Sequence, residues 1–383
     1  MVSRAIINPE MMVWAREYAG FTDEYEELLP DYIKKNYELW ESGEKYPTWN
    51  QLRDVSKKYN VPTAFFFMGN APDFDDFPKL VNYRKIKSNN FKRESPNLIK
   101  EIRNSEYRRE NYLDLSFELE FEIPLFKTLE KSFDKNYFVN YIRKTLDVSL
   151  DNQKSWIKNN GSSDNKHYNF LNKWKEVITA KMGVLIFETE GVFTEEMRAL
   201  CIFHKEVPII LLNGKDSVNG RIFSLFHELT HLLVGESAIC GDDESSEEEI
   251  FCNAVAGEFL VPKDDLDKNI NLNNLLSNDS ITKLSHLYGV SSHVILRRLY
   301  DTNIINRYDY NNIINNFEEI LSSEGSGGNY FNNIIKYNSE SYCAIVLEAY
   351  ESGIINSGDF SKLTNLKKKF IPNLQNRIYG AEQ

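Results

Sequence analysis

Along the first 70 residues, apolar positions recur at helical spacing in short blocks cut by breakers. Met12, Trp14, Ala15 and Tyr18 precede Gly20. Thr22 can cap a helix through Tyr25 and Leu28, and Pro30 starts a segment that ends at Trp40-Glu41-Ser42-Gly43. After Pro47-Thr48, the positions Leu52, Val55 and Tyr59 define a further helix closed by Val61-Pro62. Pro72 and Pro78, among Asp73, Asp75 and Asp76, punctuate the way into the next region. Residues 95–180 read as polar helices, with Lys158–Ser163 as a loop. The period then shortens: Gly183–Phe187, Ala199–Phe203 and Val207–Leu212 are apolar runs bounded by Gly, Pro or charge, the signature of three strands in a small sheet. Helical periodicity resumes at Ile222 and persists to about Tyr300. Ser322–Gly328 reads as a linker before a last helical piece over 330–380, where Tyr342, Ile345, Val346 and Ala349 make a packing face. The pattern predicts a mostly helical α+β chain without internal repeats.

Composition narrows the class. At roughly 150 residues per domain, 383 residues predict two or three domains. Apolar residues at 42% and charged ones at 27% are those of an ordinary globular protein, which excludes wholesale disorder. The sequence offers no apolar run long enough to span a membrane, and no secretory signal. Four cysteines without a CxxC pair suit a reducing compartment, so a cytoplasmic location is expected. The net charge of −12 argues against a surface built as a whole to coat nucleic acid.

The sharpest chemistry lies in His227-Glu228-Leu229-Thr230-His231. Two histidines four apart share one helix face, so both imidazoles can reach one metal ion. Glu228 projects from the flank, placed to take a proton from an attacking water. Zinc suits imidazole and carboxylate donors with a position left open. The surrounding helix, Ile222–Val234, is apolar nearly all round and is therefore expected to be buried. Three polar side chains inside it would be costly without a metal to satisfy them.

A catalytic site of this type needs a third protein ligand. The next helical run, Glu248–Val261 ending at Pro262, presents Phe251 or Cys252, Val255, Ala256 and Phe259 as an apolar face, with small Ala256 and Gly257 permitting close approach to the metal helix. Glu249 is in register with that face, and Asn253, one turn on, can orient a ligand. Glu248, Glu258 and His204 are the alternatives to Glu249. The stretch from Glu236 to Glu249 holds seven acids and no bases and reads as a loop or rim in which Glu248 is solvated.

Arg221–His231, preceded by Pro208–Asn213, resembles the core of the ImmA/IrrE metallopeptidase family. That family continues with Glu-x-x-Ala-Asn-x-Phe-Ala and then Leu-Leu-x-Pro, which stand here as Glu249-Ile250-Phe251-Cys252-Asn253-Ala254-Val255-Ala256 and Phe259-Leu260-Val261-Pro262. Cys252 and Val255 depart from the pattern at packing positions, and Thr230 replaces a common Gly. The resemblance runs from about residue 170 to 310, through Val290-Ser291-Ser292 and Arg297-Arg298-Leu299. It implies a zincin-like domain over 166–310, Zn2+ as the metal, Glu249 as third ligand, and a gluzincin-like endopeptidase.

The N-terminal part, through Trp14-Ala15-Arg16-Glu17, Gly20, Thr22, Trp40–Gly43 and Pro47-Thr48, is similar to an XRE-type helix-turn-helix module (residues 1–70). Asn82–Lys85, Ser95-Pro96 and Ile102-Arg103 are similar to the joint of such fusions, within a helical linker region at 71–165. If the segment 30–40 enters a groove of duplex DNA, Lys34, Lys35 and Asn36 are its readers. The module carries 8 basic and 11 acidic side chains, which disfavours a phosphate-binding face. Residues 84–109 carry nine basic and three acidic side chains and read as a solvated helix face paired with the acidic rim. Arg221 either pairs with a carboxylate or polarises a carbonyl. His286 and His293 read as structural, and His167 carries no signal.

Together these readings predict an endopeptidase in which Glu228 is general base and then acid. The run Val207–Leu212, through Ile209 and Leu211, offers a sheet edge for substrate, and His204 is a second substrate contact. The resemblance implies a protein substrate, a helix-turn-helix repressor encoded nearby, whose cleavage derepresses mobile-element or stress-response genes. A segment over 329–383 adds a helical C-terminal domain. The rival reading is a non-catalytic DNA-binding regulator, or a toxin–antitoxin component, with a structural zinc site.

Overall fold

The computed structural model describes residues 3–72, 94–130, 132, 134–159, 166–235, 238–240, 247–271, 274–318 and 329–380. The Asn82–Lys85 joint, the 322–328 linker and most of the acidic run lie outside them. The described residues fall into two compact units, 3–72 with 94–106, and 107–380.

In the first unit, α1 (Pro9–Tyr18), α2 (Asp31–Lys34), α3 (Tyr37–Glu41) and α4 (Trp49–Tyr59) alternate with 3-10 turns at Asp23–Leu28 and Thr63–Phe67. The first part of α5 (Pro96–Glu118), through Glu106, completes it. Thr48 and Gln51 form the capping box that starts α4, whose Leu52, Val55 and Tyr59 are fully buried with Trp40 and Phe66. The expected single segment from Pro30 to Trp40 is instead two short helices interrupted at Lys35-Asn36. Asn36 turns its amide back to Tyr32 O at 2.7 Å and accepts from Lys45 Nζ at 2.7 Å, closing the break with local hydrogen bonds.

The second unit takes in the rest of α5 from Tyr107, then α6 (Lys135–Leu146), α7 (Leu150–Asn159) and α8 (Lys166–Met182), and continues through β1 (Leu185–Thr189), β2 (Ala199–Ile202), β3 (Ile209–Asn213) and α9 (Val218–Val234). After α9 come β4 (Ala238–Cys240), α10 (Glu247–Leu260), α11 (Lys263–Asn269), α12 (Asn278–Tyr288), α13 (Ser292–Asp301) and α14 (Arg307–Glu318). Four more helices follow: α15 (Tyr330–Asn338), α16 (Glu340–Glu351), α17 (Ser357–Thr364) and α18 (Ile371–Tyr379). The sheet order is β1-β3-β2-β4, with β3 parallel to β1 and antiparallel to β2. The sheet therefore has four strands rather than three, the fourth lying inside the expected acidic rim. Along each strand alternate residues face opposite ways. Ile186, Ala199, Cys201, Ile210 and Leu212 join the core with α9, while Phe187 on the other face packs edge-on against Tyr342 of α16 at 6.1 Å.

Two expectations change with this architecture. Within the expected helical linker region 71–165, Phe138, Ile142, Leu146 and Ile157 are buried in the same core as α9 and α10, so the described part 134–159 packs as part of the second unit. The packing face Tyr342, Ile345, Val346 and Ala349 is buried within the same unit as the sheet.

Candidate metal centre

The helix α9 starts on Ser217, whose side chain accepts from Gly220 N, and ends on Gly235 at φ +85°, a left-handed conformation suited to glycine. Its terminal carbonyl at Leu233 receives Leu129 N at 2.7 Å, a cap from the 119–134 segment that no local pattern announces. Between these ends nearly every side chain is buried. Phe226 stacks on Phe259 of α10 with centroids 4.2 Å apart, and Trp174 of α8 meets both rings edge-on. Thr230, between the histidines, satisfies its hydroxyl on Phe226 O at 2.8 Å, which explains how a polar residue sits there buried.

This packing brings His227, His231 and Glu249 together, each offering a donor atom within 4.8 Å of the others. The two Nε2 atoms are 3.2 Å apart; Glu249 Oε2 lies 3.1 Å from His227 Nε2 and its Oε1 lies 3.3 Å from His231 Nε2. For bonds of about 2.0–2.1 Å, a tetrahedral ion separates its ligands by about 3.3 Å. Two imidazoles and one carboxylate at these separations therefore fit a divalent ion of zinc's size. Asn253 Oδ1 is 2.9 Å from His227 Nδ1. Glu228 is fully buried on the neighbouring flank of α9. Burial pushes the Glu249 carboxyl up, but hydrogen bonds from both imidazoles outweigh it and hold the group well below the usual carboxylate range. Burial raises the thiol of Cys252, which sits beside His231.

The other candidates are placed differently. Glu258 is ion-paired with Arg298 and with Lys135 at 3.1 Å, so it is committed to packing. Glu248 Oε1 lies 3.7 Å from His231 Nδ1, half-buried rather than solvated. His204 lies half-buried in the β2–β3 connection and is not in the donor group. Ile209 and Leu211 do not offer an edge: β3 is interior, hydrogen-bonded to β1 and β2, and both residues are fully buried on the face away from α9. Gly257 does not serve close approach to α9 either, since a Cβ there would meet Arg298 Cδ at 3.6 Å.

Lys34 is paired with Glu27 at 2.7 Å, and with Asn36 bonded locally only Lys35 of the three proposed readers stands exposed. Of the basic stretch, residues 84–93 lie outside the described ones; in the rest Lys100 is exposed, whereas Arg103 lies 3.5 Å over the Tyr18 ring, Arg108 is buried against Phe187, and Arg109 donates to Glu206 O and Val207 O. Sequence reasoning left Arg221 undecided and missed its partner, the buried Glu188 of β1.

Residues 179–300, from the end of α8 to the end of α13, match the family model Peptidase_M78, the IrrE N-terminal-like domain. This stretch is thus similar to a domain of metallopeptidase type. A solved Mycobacterium tuberculosis transcriptional regulator matches at 13% identity and a TM-score of 0.24, over 43% of this chain and 51% of its own. The chain thus spans about half the length of that regulator. No curated protein matches the chain at a significant level. Among the described residues no helix is long and apolar enough to cross a membrane.

Proposed function

We propose that the protein is a zinc-dependent endopeptidase of the HExxH, gluzincin-like type, and that its substrate is a protein, a helix-turn-helix repressor encoded nearby. The observation that carries this reading is the convergence of His227, His231 and Glu249 on one point, with Glu228 buried alongside. His227, His231 and Glu249 would hold the ion, which when bound activates water and polarises a carbonyl. Asn253 Oδ1 orients the His227 ring from behind. Glu228 accepts the proton of the attacking water and returns it to the departing amine, a role that burial in a dry, apolar helix face strengthens. The substrate adds along the outer edge of β4, the terminal strand on the α9 side, in place of the interior β3.

The test is Glu228→Gln with bound zinc measured in the same preparation. Cleavage of the co-encoded repressor is expected to fall by about 10²–10⁴-fold with metal content unchanged. Cleavage at the wild-type rate would remove Glu228 from the mechanism. Residues 3–72 are read as a packing scaffold rather than a duplex reader, given the division of the 30–40 segment into two short helices and the engagement of Lys34 and Asn36.

A further inference from the structure

A second buried polar cluster lies at the end of β1, outside the metal centre. Glu188 is wholly buried and accepts from Lys175 Nζ of α8 at 2.7 Å and from Tyr168 OH at 3.2 Å. The Arg221 guanidinium, from the first turn of α9, donates to its other oxygen. Lys336 Nζ of α15 lies 3.7 Å from that same oxygen and donates to Gly214 O at 2.9 Å. One carboxylate thus faces three cations from three helices, in surroundings that screen charge weakly.

Burial pushes the Glu188 carboxyl up, but Lys175, Arg221 and Lys336 outweigh it and keep it ionised below the usual range. The cluster also grips the turn that launches α9. Gly214 stands three residues before the N-cap Ser217, and a Cβ there would lie 2.4 Å from Thr189 O and 3.4 Å from the Tyr337 ring. Only glycine lets this turn sit so close against β1 and α15.

We infer that Lys336 is a positioning residue for the metal centre, through which the C-terminal helix α15 fixes the seating of α9 by holding Glu188 and the Gly214 carbonyl together. The inference rests on the reading of His227 and His231 as metal ligands, and it reaches beyond the stretch matched by the family model, which ends at residue 300. Arg221 is six residues before His227, about 9 Å along the helix. A shift at the launching turn is therefore carried into the donor triangle by a single rigid, buried element. Without Lys336, Glu188 still has Lys175 and Arg221, so the chain remains folded while the turn loses its tether.

Hydrogen exchange and metal titration on the full chain test this, in wild type, Lys336→Met, Lys336→Arg and Gly214→Ala. Lys336→Met and Gly214→Ala are expected to speed exchange of the 218–226 amides about tenfold, leaving α12 and α13 unchanged. Both should weaken zinc binding about tenfold, as loss of an outer contact does, and Lys336→Arg should restore most of it. Unchanged exchange over 218–226, or equal acceleration through α12 and α13, would overturn the inference. If the wild type takes up no zinc at all, the metallopeptidase reading fails, and the exchange pattern still decides whether α15 seats α9.

Discussion

Asn253 Oδ1 can only accept, so its 2.9 Å contact holds a proton on His227 Nδ1 and leaves Nε2, which faces Glu249 and His231, as the nitrogen that would bind the ion. Asn253→Ala removes that tautomer lock while leaving all three donors in place. Zinc affinity is expected to fall by about 10–100-fold, and Asn253→Asp, which keeps an acceptor, to recover most of it; chelator competition measures both. Affinity unchanged in Asn253→Ala would mean that packing alone orients the ring. These residues were legible in the sequence because helix geometry is local: i, i+4 spacing puts His227 over His231, and Glu249 and Asn253 repeat it on the next helix. Glu188 was not. A charge closing an apolar run reads as a strand boundary, yet it is the fourth residue of β1, and its partners come from distant parts of the chain. Lys34 and Asn36 differ from Glu188 in that their partners, Glu27 and Tyr32, are near in sequence, but a charge pattern alone does not reveal those bonds.

At the scale of elements, α10 decides the architecture, since it is buried on more than one side. Phe259 stacks on Phe226 of α9, and Phe251 meets Phe138 of α6 edge-on at 5.1 Å. The strong apolar runs of β1, β2, β3 and α9 announced themselves, whereas α6 did not. Its buried positions, Phe138, Ile142 and Leu146, form a narrow stripe in an otherwise polar helix, and nothing within 135–146 names the partner that covers them. Which strand is interior was likewise illegible, because strand order follows from pairing across the sheet rather than from any one run. The consequence for α6 can be measured. Phe138→Ala empties a fully buried site and is expected to lower the stability of the second unit by about 3–5 kcal/mol in urea unfolding. If α6 were a dispensable linker, the loss would be within about 0.5 kcal/mol, as for a surface substitution.

Over the whole molecule, buried and half-buried carboxylates tie helices together through cations, and this sets how stability responds to acid. Burial raises Glu188 and Glu258, but Lys175, Arg221 and Lys336 around the first outweigh it. For the second, the Lys263 amide, Arg298 and Lys135 do the same, so both end below their ordinary value. Asp265 is lowered in the same sense, its burial outweighed by Lys154 and Tyr288. A group with a depressed folded-state pKa stabilises the fold fully above its unfolded value, about 4 for these carboxyls, and loses that contribution as pH falls through the folded value. The net charge of −12 works the other way near neutrality, since self-repulsion eases as acid neutralises the surface. The urea midpoint of the metal-free chain is therefore expected to stay flat or rise slightly from pH 8 to about 5, then drop steeply below about 4 as the linked carboxyls take up protons. Glu258→Gln should lower the neutral plateau, because the buried Arg298 loses its charged partner, and should make the acid drop shallower. A wild-type midpoint that stays flat below pH 4 would mean that these carboxylate clusters do not govern the fold's response to acid.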